Sequence, residues 1–318
     1  MGGRAFGFEA ARMDCTVYAR LSAQLLGQIR ASQPVRAAVV PAYRNKDSFG
    51  DIDVVVDDGF DFAAFQTAHP QYRAVRNGRV LSLLIDGQYQ ADLIRAEPEC
   101  FAVTLDYLSY NDLGNLIGRI AHRLGYKYGL HGLSILLREG DHQFGEVLVS
   151  RDPDQIRDFL GLPPRPDFED LTQIFAYVAQ ARHFHSGIYP FAALNNKNRV
   201  RDRKRQTYHA FLQWLHTRPA STGEPVRWSP EQAVDAATAY FGPHVQAQYQ
   251  RPRAQQALQQ ARRSQFNGEL VGQWTGLSGQ ALGALIRAYR QSGQFDPDAP
   301  LAVHQARLLA FWQADGQE

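Results

Sequence analysis

Over residues 14–31, Val17, Leu21, Leu25 and Ile29 fall at every fourth position, which places them on one face of a helix. Pro34 ends that pattern, and RAAVV (36–40) predicts a short buried strand. In KDSFGDIDVVV (46–56), Ile52, Val54, Val55 and Val56 are β-branched and predict a second buried strand. DGFDFAAFQTAHP predicts a turn and a brief helix stopped by Pro70. RVLSLLI (79–85) and QYQADLI (88–94) flank Asp86-Gly87. That dipeptide tolerates positive φ at both turn positions, so the two runs predict a hairpin.

Helical periodicity resumes over 112–124, and 131–150 predicts another hairpin, followed by a helix at DPDQIRDFLGL. Helices are predicted to dominate 168–216. The segment 216–230 is rich in Pro, Ser, Thr and Gly, as a linker would be, and 229–318 predicts a final helical module. The elements predict an α+β plan with divisions at 1–110, 111–220 and 221–318. At 318 residues the chain is long enough for two or three cores.

Composition narrows the setting. Two cysteines, Cys15 and Cys100, are too few for a zinc ligand set or a disulfide framework, which fits a reducing cytoplasm. No apolar run is long enough for a bilayer, and the N-terminus lacks the apolar region of a signal peptide, so no membrane association is expected. Net charge is only +2, so affinity for nucleic acid has to come from local clustering.

The acids at the head of the second strand carry the chemistry. Asp51 and Asp53 are two apart and share one face. Either they are solvated acids of a turn, or they form a pair whose repulsion needs protons or cations. Asp92 weighs on this choice, because it lies mid-strand in QYQADLI, where an unpaired carboxylate is costly. Three acids on adjacent strands would suit hard divalent ions, Mg²⁺ first. Two such ions activate an attacking hydroxyl and stabilise a leaving phosphate oxygen.

Acid–x–acid heading a hydrophobic strand, with a third acid in a strand some forty residues later, resembles the DNA polymerase β-like nucleotidyltransferase superfamily. The likeness covers roughly residues 14–95. It implies a palm, a small mixed sheet with helices, followed by mainly helical domains. It also implies two Mg²⁺ ions, with Mn²⁺ as a substitute: Asp51 and Asp53 would hold both, while Asp92 would hold the catalytic one and help deprotonate the acceptor hydroxyl. The sequence departs from the pattern at Pro41-Ala42, where the superfamily carries a Gly-Ser pair that grips phosphates. Ser48 and Gly50 would supply the hydroxyl and flexible backbone instead, with Arg44 and Lys46 adding charge. A degenerate, inactive relative is the alternative, against which the intact acid triad argues.

In several relatives a helical region behind the palm contacts the nucleotide, and residues 111–130 would lie there. Arg119 and Arg123 share a helix face. Arg123, Lys127 and Tyr128 are candidates for triphosphate and ribose, and Asn111 and Asn115 for a sugar or base edge. Each could equally belong to a solvated basic face. Between Lys197 and Arg205 stand six basic residues (Lys197, Arg199, Arg201, Arg203, Lys204 and Arg205) against one acid. Such density predicts phosphate contact, whereas Tyr208, His209 and Trp214 read better as packing residues than as base-stacking ones. His183 and His185 in HFH would diverge on a helix, and Asp141-His142 fits a turn. Near the end, Thr275-Gly276-Leu277 with Gly279 and Leu282-Gly283 resembles the module closing some tRNA nucleotidyltransferases and poly(A) polymerases, behind a second basic patch at Arg251, Arg253, Arg262 and Arg263.

The expected activity is metal-dependent transfer of a nucleoside monophosphate from an NTP or dNTP to a hydroxyl, without a template. The acceptor would be a single-stranded nucleic acid, or the product an oligonucleotide. Two alternatives stand beside it: a toxin-like or defence-associated transferase acting on tRNA or protein or making a signalling oligonucleotide, and a catalytically silent nucleic-acid-binding scaffold.

Overall fold

The structure, a computed structural model, describes residues 5–140 and 142–315, of Lys197 and Asp315 the backbone alone. Asp141 and the Lys197 side chain therefore lie outside the described residues. The chain forms two compact units, Met1–Gln246 and Ala247–Glu318, where the sequence predicts divisions near 110 and 220.

The first unit opens with α1 (Cys15–Ser32), capped by Asp14, whose carboxylate accepts a 2.8 Å hydrogen bond from the Val17 N–H. Its predicted apolar face is real: Leu21, Leu25 and Ile29 are buried. Then come β1 (Ala37–Val39), β2 (Asp51–Asp57), α2 (Phe62–Ala68), β3 (Arg73–Asn77), β4 (Val80–Ile85) and β5 (Tyr89–Ala96). The strands form one mixed sheet in the order β1-β2-β5-β4-β3, with β2 and β5 parallel and the other pairs antiparallel. Asp86 and Gly87 adopt φ of 51° and 71°, as the β4–β5 hairpin requires. β3 has no counterpart in the sequence reading. It is an edge strand, mostly exposed, and so carries no apolar alternation to betray it.

The period of two divides the sheet into faces. Ile52, Val54, Val56, Leu81, Leu83, Ala91 and Leu93 pack into one core with the apolar faces of α1 and α2. Val55 and Ala96 pack on the other side with Phe101, Leu105 and Leu108 of α3 (Phe101–Leu108). Asp51 and Asp53 alternate with the first set and so lie on the α3 side.

Helix α4 (Leu113–Arg123) leads into β6 (Tyr126–Gly129), β7 (Gly132–Glu139) and β8 (His142–Ser150), a three-stranded antiparallel sheet. The predicted hairpin thus gains a strand, and Lys127 and Tyr128 belong to it rather than to a helical region. Tyr126 and Tyr128 are buried while Lys127 is exposed, which is strand alternation. Five helices follow: α5 (Pro153–Phe159), α6 (Leu171–Val178), α7 (Asn196–Asp202), α8 (Gln206–His216) and α9 (Pro230–Phe241). Between α6 and α7 stand only the short 3₁₀ turns Ser186–Ile188 and Phe191–Ala193, so His183 and His185 lie outside the helix predicted for them.

The predicted linker is irregular but tied down. The Trp228 N–H donates to the Arg123 carbonyl at 3.2 Å, and Ser186 and Ser221 exchange hydrogen bonds of 2.9 and 3.1 Å. Helix α10 (His244–Gln265) crosses the division between the units. In the second unit, α11 (Gly268–Thr275), α12 (Gly279–Gln291) and α13 (Leu301–Asp315) contribute Val271, Leu285, Tyr289 and Leu308 to a core that also holds Phe266. Gly276, at φ 72°, closes α11 in the left-handed conformation. Among the described residues, no helix is long and apolar enough to cross a membrane.

Ile52, between the two acids, is fully buried. Ile52→Ala is expected to destabilise the first unit by about 2–5 kcal/mol, read as a lower urea midpoint.

Candidate metal centre

The register of the parallel pair β2–β5 brings the three acids together. Asp53 sits opposite Asp92, and Asp51 opposite Gln90. Each of the three carboxylates offers an oxygen, and these oxygens lie within 4.8 Å of one another. Gln90 is buried, and its amide is fixed at both ends. Nε2 donates to the two Asp92 oxygens at 3.0 and 3.1 Å, while Oε1 accepts from the Ala5 N–H at 2.9 Å. On the far side of β5, Ser82 pairs with Asp92 in register and hydrogen-bonds its carboxylate.

Burial and mutual repulsion dominate the electrostatics. Asp53 is pushed well above the usual carboxylate range, first by burial and then by the charges of Asp51 and Asp92. Asp51 is raised by burial and by Asp92, against the pull of Lys46 and Arg12. Asp92 is raised by burial, which outweighs the hydrogen bonds from Ser82 and Gln90. Tyr18, stacked on Phe49 with ring centres 3.7 Å apart, is pushed up to about 12 by burial and by Asp53. A hard divalent cation would relieve this repulsion, and an all-oxygen donor set is the kind that Mg²⁺ takes. The residues fit such an ion.

Beside Asp51 and Asp53 opens a cavity of about 510 Å³, within the range of small-molecule sites. Its walls carry Arg12, Lys46, Ser48, Gly50, Asn111 and Arg205, with Gln206 and Thr207 from the first turn of α8. Lys46 is held low by burial against the upward pull of Asp51 and Asp53. Its ammonium donates to Asn111 Oδ1 at 3.1 Å and lies 4.6 Å from the Phe49 ring centre. Arg12 donates to the Ser48 hydroxyl at 2.6 Å and to its carbonyl at 3.1 Å. Tyr110 and Asn111 both adopt positive φ, 56° and 62°, an uncommon backbone for non-glycine residues.

Of the residues predicted for nucleotide, the structure brings Lys46, Ser48, Gly50 and Asn111 to this cavity with Asp51 and Asp53, and Pro41 and Ala42 line it too. It takes the others elsewhere. Arg44 pairs with Glu169 at 2.7 Å and Asp167 at 3.4 Å. Lys127 pairs with Glu146 at 2.7 Å. The Tyr128 hydroxyl is buried and donates to Asp106 at 2.9 Å, where Arg157 and Arg165 also converge. Arg123 lies at the end of α4, its carbonyl occupied by Trp228.

The basic strip is partly ion-paired, yet Arg201, Arg203 and Lys204 are exposed. Its single acid, Asp202, is fully buried and ion-paired with Arg119 and Arg201, with Arg205 at 4.0 Å. Arg201 also bonds Asn115, and Arg205 bonds Asp112. Arg199 is half-buried. Arg203 lies over the Phe191 ring, with its guanidinium carbon 5.9 Å from the ring centre, and Lys204 is exposed. Of the three aromatics read as packing residues, Tyr208 is buried and Trp214 half-buried, whereas His209 is exposed. In the second unit Arg262 is bridged to Asp298 at 2.6 Å and Arg253 bonds the Tyr249 hydroxyl at 2.7 Å, leaving Arg251 and Arg263 exposed.

Sequence reasoning missed Arg12, Gln206 and Thr207 as cavity residues. Arg12 precedes the first helix with no pattern around it, and its role depends on Met13 bridging to Phe49. No protein-family model matches the chain, and no curated protein is similar to it in sequence. The case for a function therefore rests on the geometry of the site.

Two outcomes follow. An acid whose pKa is raised by folding binds more protons folded than unfolded, so its contribution to stability falls as pH rises through the raised value. In chelator near neutral pH, Asp53→Asn should therefore raise Tm; the gain should vanish below the ordinary carboxylate range and shrink in saturating Mg²⁺. Asp202→Ala, which leaves the buried Arg119 without its partner, should cost about 3–5 kcal/mol in urea unfolding.

Proposed function

We propose that this protein is a metal-dependent nucleotidyltransferase, its first unit acting as a polymerase β-like palm. The observation that carries this reading is the Asp51–Asp53–Asp92 triad on neighbouring parallel strands, with Asp51 and Asp53 lining a cavity that also carries Arg12 and Lys46. Asp51, Asp53 and Asp92 would hold divalent Mg²⁺, which supplies charge for the developing phosphorane and lowers the pKa of an attacking hydroxyl.

The remaining work falls to the chain itself. Lys46, fixed by Asn111, would neutralise charge on the triphosphate. Arg12 orients the Ser48 hydroxyl, which keeps its proton free to donate to a phosphate oxygen. Asp92, its orientation held by Gln90 and Ser82, would take the role that the resemblance implies, helping to deprotonate the acceptor hydroxyl. The acceptor oxygen bonds to the α-phosphorus as the bond to the β-phosphate oxygen breaks, and pyrophosphate leaves. Catalysis of this kind is positioning plus charge stabilisation.

The fate of the basic strip bears on the acceptor. Arg201 and Arg205 are engaged with Asp202, Asn115 and Asp112, so a long phosphate-binding track along α7 is not favoured. Arg203 and Lys204 remain outward for an acceptor that reaches the cavity past α8.

The test offers each labelled NTP and dNTP with Mg²⁺ or Mn²⁺, alone and with single-stranded DNA, RNA or tRNA, and resolves products on denaturing gels. Transfer is expected, and Asp51→Asn/Asp53→Asn should lower it at least about a hundredfold, the rate equivalent of a few kcal/mol of lost charge stabilisation. Absence of transfer from every donor, together with absence of Mg²⁺-dependent nucleotide binding, would overturn the proposal in favour of a silent scaffold.

A further inference from the structure

A second cluster of metal-ligating groups lies past the end of β5, apart from the aspartate triad. Glu97 and Cys100 bracket the 3₁₀ turn Pro98–Cys100, and His131 stands on the turn between β6 and β7. One ligating atom from each of Glu97, Cys100 and His131 lies within 4.8 Å of the other two. A carboxylate, a thiol and an imidazole from two separate parts of the fold make a donor set of mixed softness, unlike the all-oxygen triad. We propose that Glu97, Cys100 and His131 form a site for Zn²⁺ or a divalent ion of similar softness, with its fourth position open to water.

The geometry near each ligand agrees. Glu97 uses Oε1 to accept from Arg79 at 3.0 Å, and its Oε2 faces the Cys100 sulfur at 3.9 Å, so one carboxylate oxygen is left for an ion. Arg79 then acts as the outer partner that orients a ligating carboxylate. Cys100 is buried and its N–H is bonded to the Glu97 carbonyl at 2.8 Å, which fixes the turn presenting the sulfur. His131 is exposed, so the ion has an entry path and the ring has freedom to close. Zinc–sulfur and zinc–nitrogen bonds of about 2.3 and 2.0 Å place tetrahedral ligand atoms roughly 3.3–3.8 Å apart, so closure needs a small approach of Glu97 to Cys100 as well as rotation of His131. The turn bearing His131 is already anchored, because the Thr104 hydroxyl of α3 donates to the Leu130 carbonyl at 2.8 Å. Occupied, the site would tie the strand that carries Asp92 to the three-stranded sheet.

The full chain, stripped with chelator, is titrated with Zn²⁺ in a large excess of Mg²⁺. One equivalent is expected to bind, and to bind equally in Asp51→Asn/Asp53→Asn, which separates it from the triad. His131→Ala, a change at an exposed turn, should weaken binding at least about tenfold. It should also abolish the rise in Tm that Zn²⁺ gives the unchanged protein. With Co²⁺ as probe, the unchanged protein should show a thiolate-to-metal charge-transfer band that Cys100→Ser lacks. If that serine variant does not fold, the His131 result decides. No stoichiometric binding in Mg²⁺, unchanged affinity in His131→Ala, or a Co²⁺ spectrum without a thiolate band would each overturn the proposal.

Discussion

The parallel pairing of β2 with β5 is the constraint on which the candidate centre depends. Had the two strands been out of register by one residue, Asp92 would have turned to the apolar core that holds Ala91 and Leu93. In the observed register Asp53 and Asp92 are side by side on the α3 face, with Asp51 two residues along. Hydrophobic alternation fixes that register: Ile52, Val54 and Val56 must face α1 and α2, and the acids then have no other side. The fold thus holds like charges together at a standing electrostatic cost, and their raised pKa values express that cost.

Opposite charge elsewhere in the unit is used to build rather than to bind. Asp202 is one acid among six basic residues of its segment, yet it is the buried one, and it organises Arg119 and Arg201. Arg205 joins this network through Asp112, the residue before α4. The network therefore joins α4, α7 and the head of α8, which forms one wall of the cavity. The second wall is set by the loop before β2, where the Arg44 and Asn45 N–H groups donate to the carbonyls of Phe168 and Glu169 at 2.9 and 2.8 Å. Between the walls, Lys46 reaches Asn111, whose left-handed backbone aims its amide there.

What was legible in the sequence follows from what local pattern can carry. Helix α1, β2, the Asp86-Gly87 hairpin and the acid triad announce themselves through period, turn chemistry and an acid where a strand interior should be apolar. β3 was not legible because an exposed edge strand needs no alternation, and β6 because four residues are too few to show one. The division of the basic residues could not be read either. Whether an arginine faces solvent or a buried carboxylate depends on partners far along the chain, 93 residues away for Arg205 and Asp112. The same holds for Arg44 and Lys127, whose acidic partners lie 125 and 19 residues distant. Density of charge in sequence measures neither exposure nor function.

β5 connects the two clusters of ligating residues, with Asp92 in its middle and Glu97 immediately after its last residue. The donor sets differ in kind, three oxygens in one and oxygen, sulfur and nitrogen in the other, so they would favour different ions. They differ in consequence as well. An ion among the aspartates relieves repulsion that the fold itself creates, so its binding energy is drawn partly from strain already present. An ion at Glu97, Cys100 and His131 relieves no such repulsion, and its effect is to restrain the end of β5 against the β6–β7 turn. The register at Asp92, five residues up the same strand, is already set by the apolar face of β5, so each centre is built independently of the other.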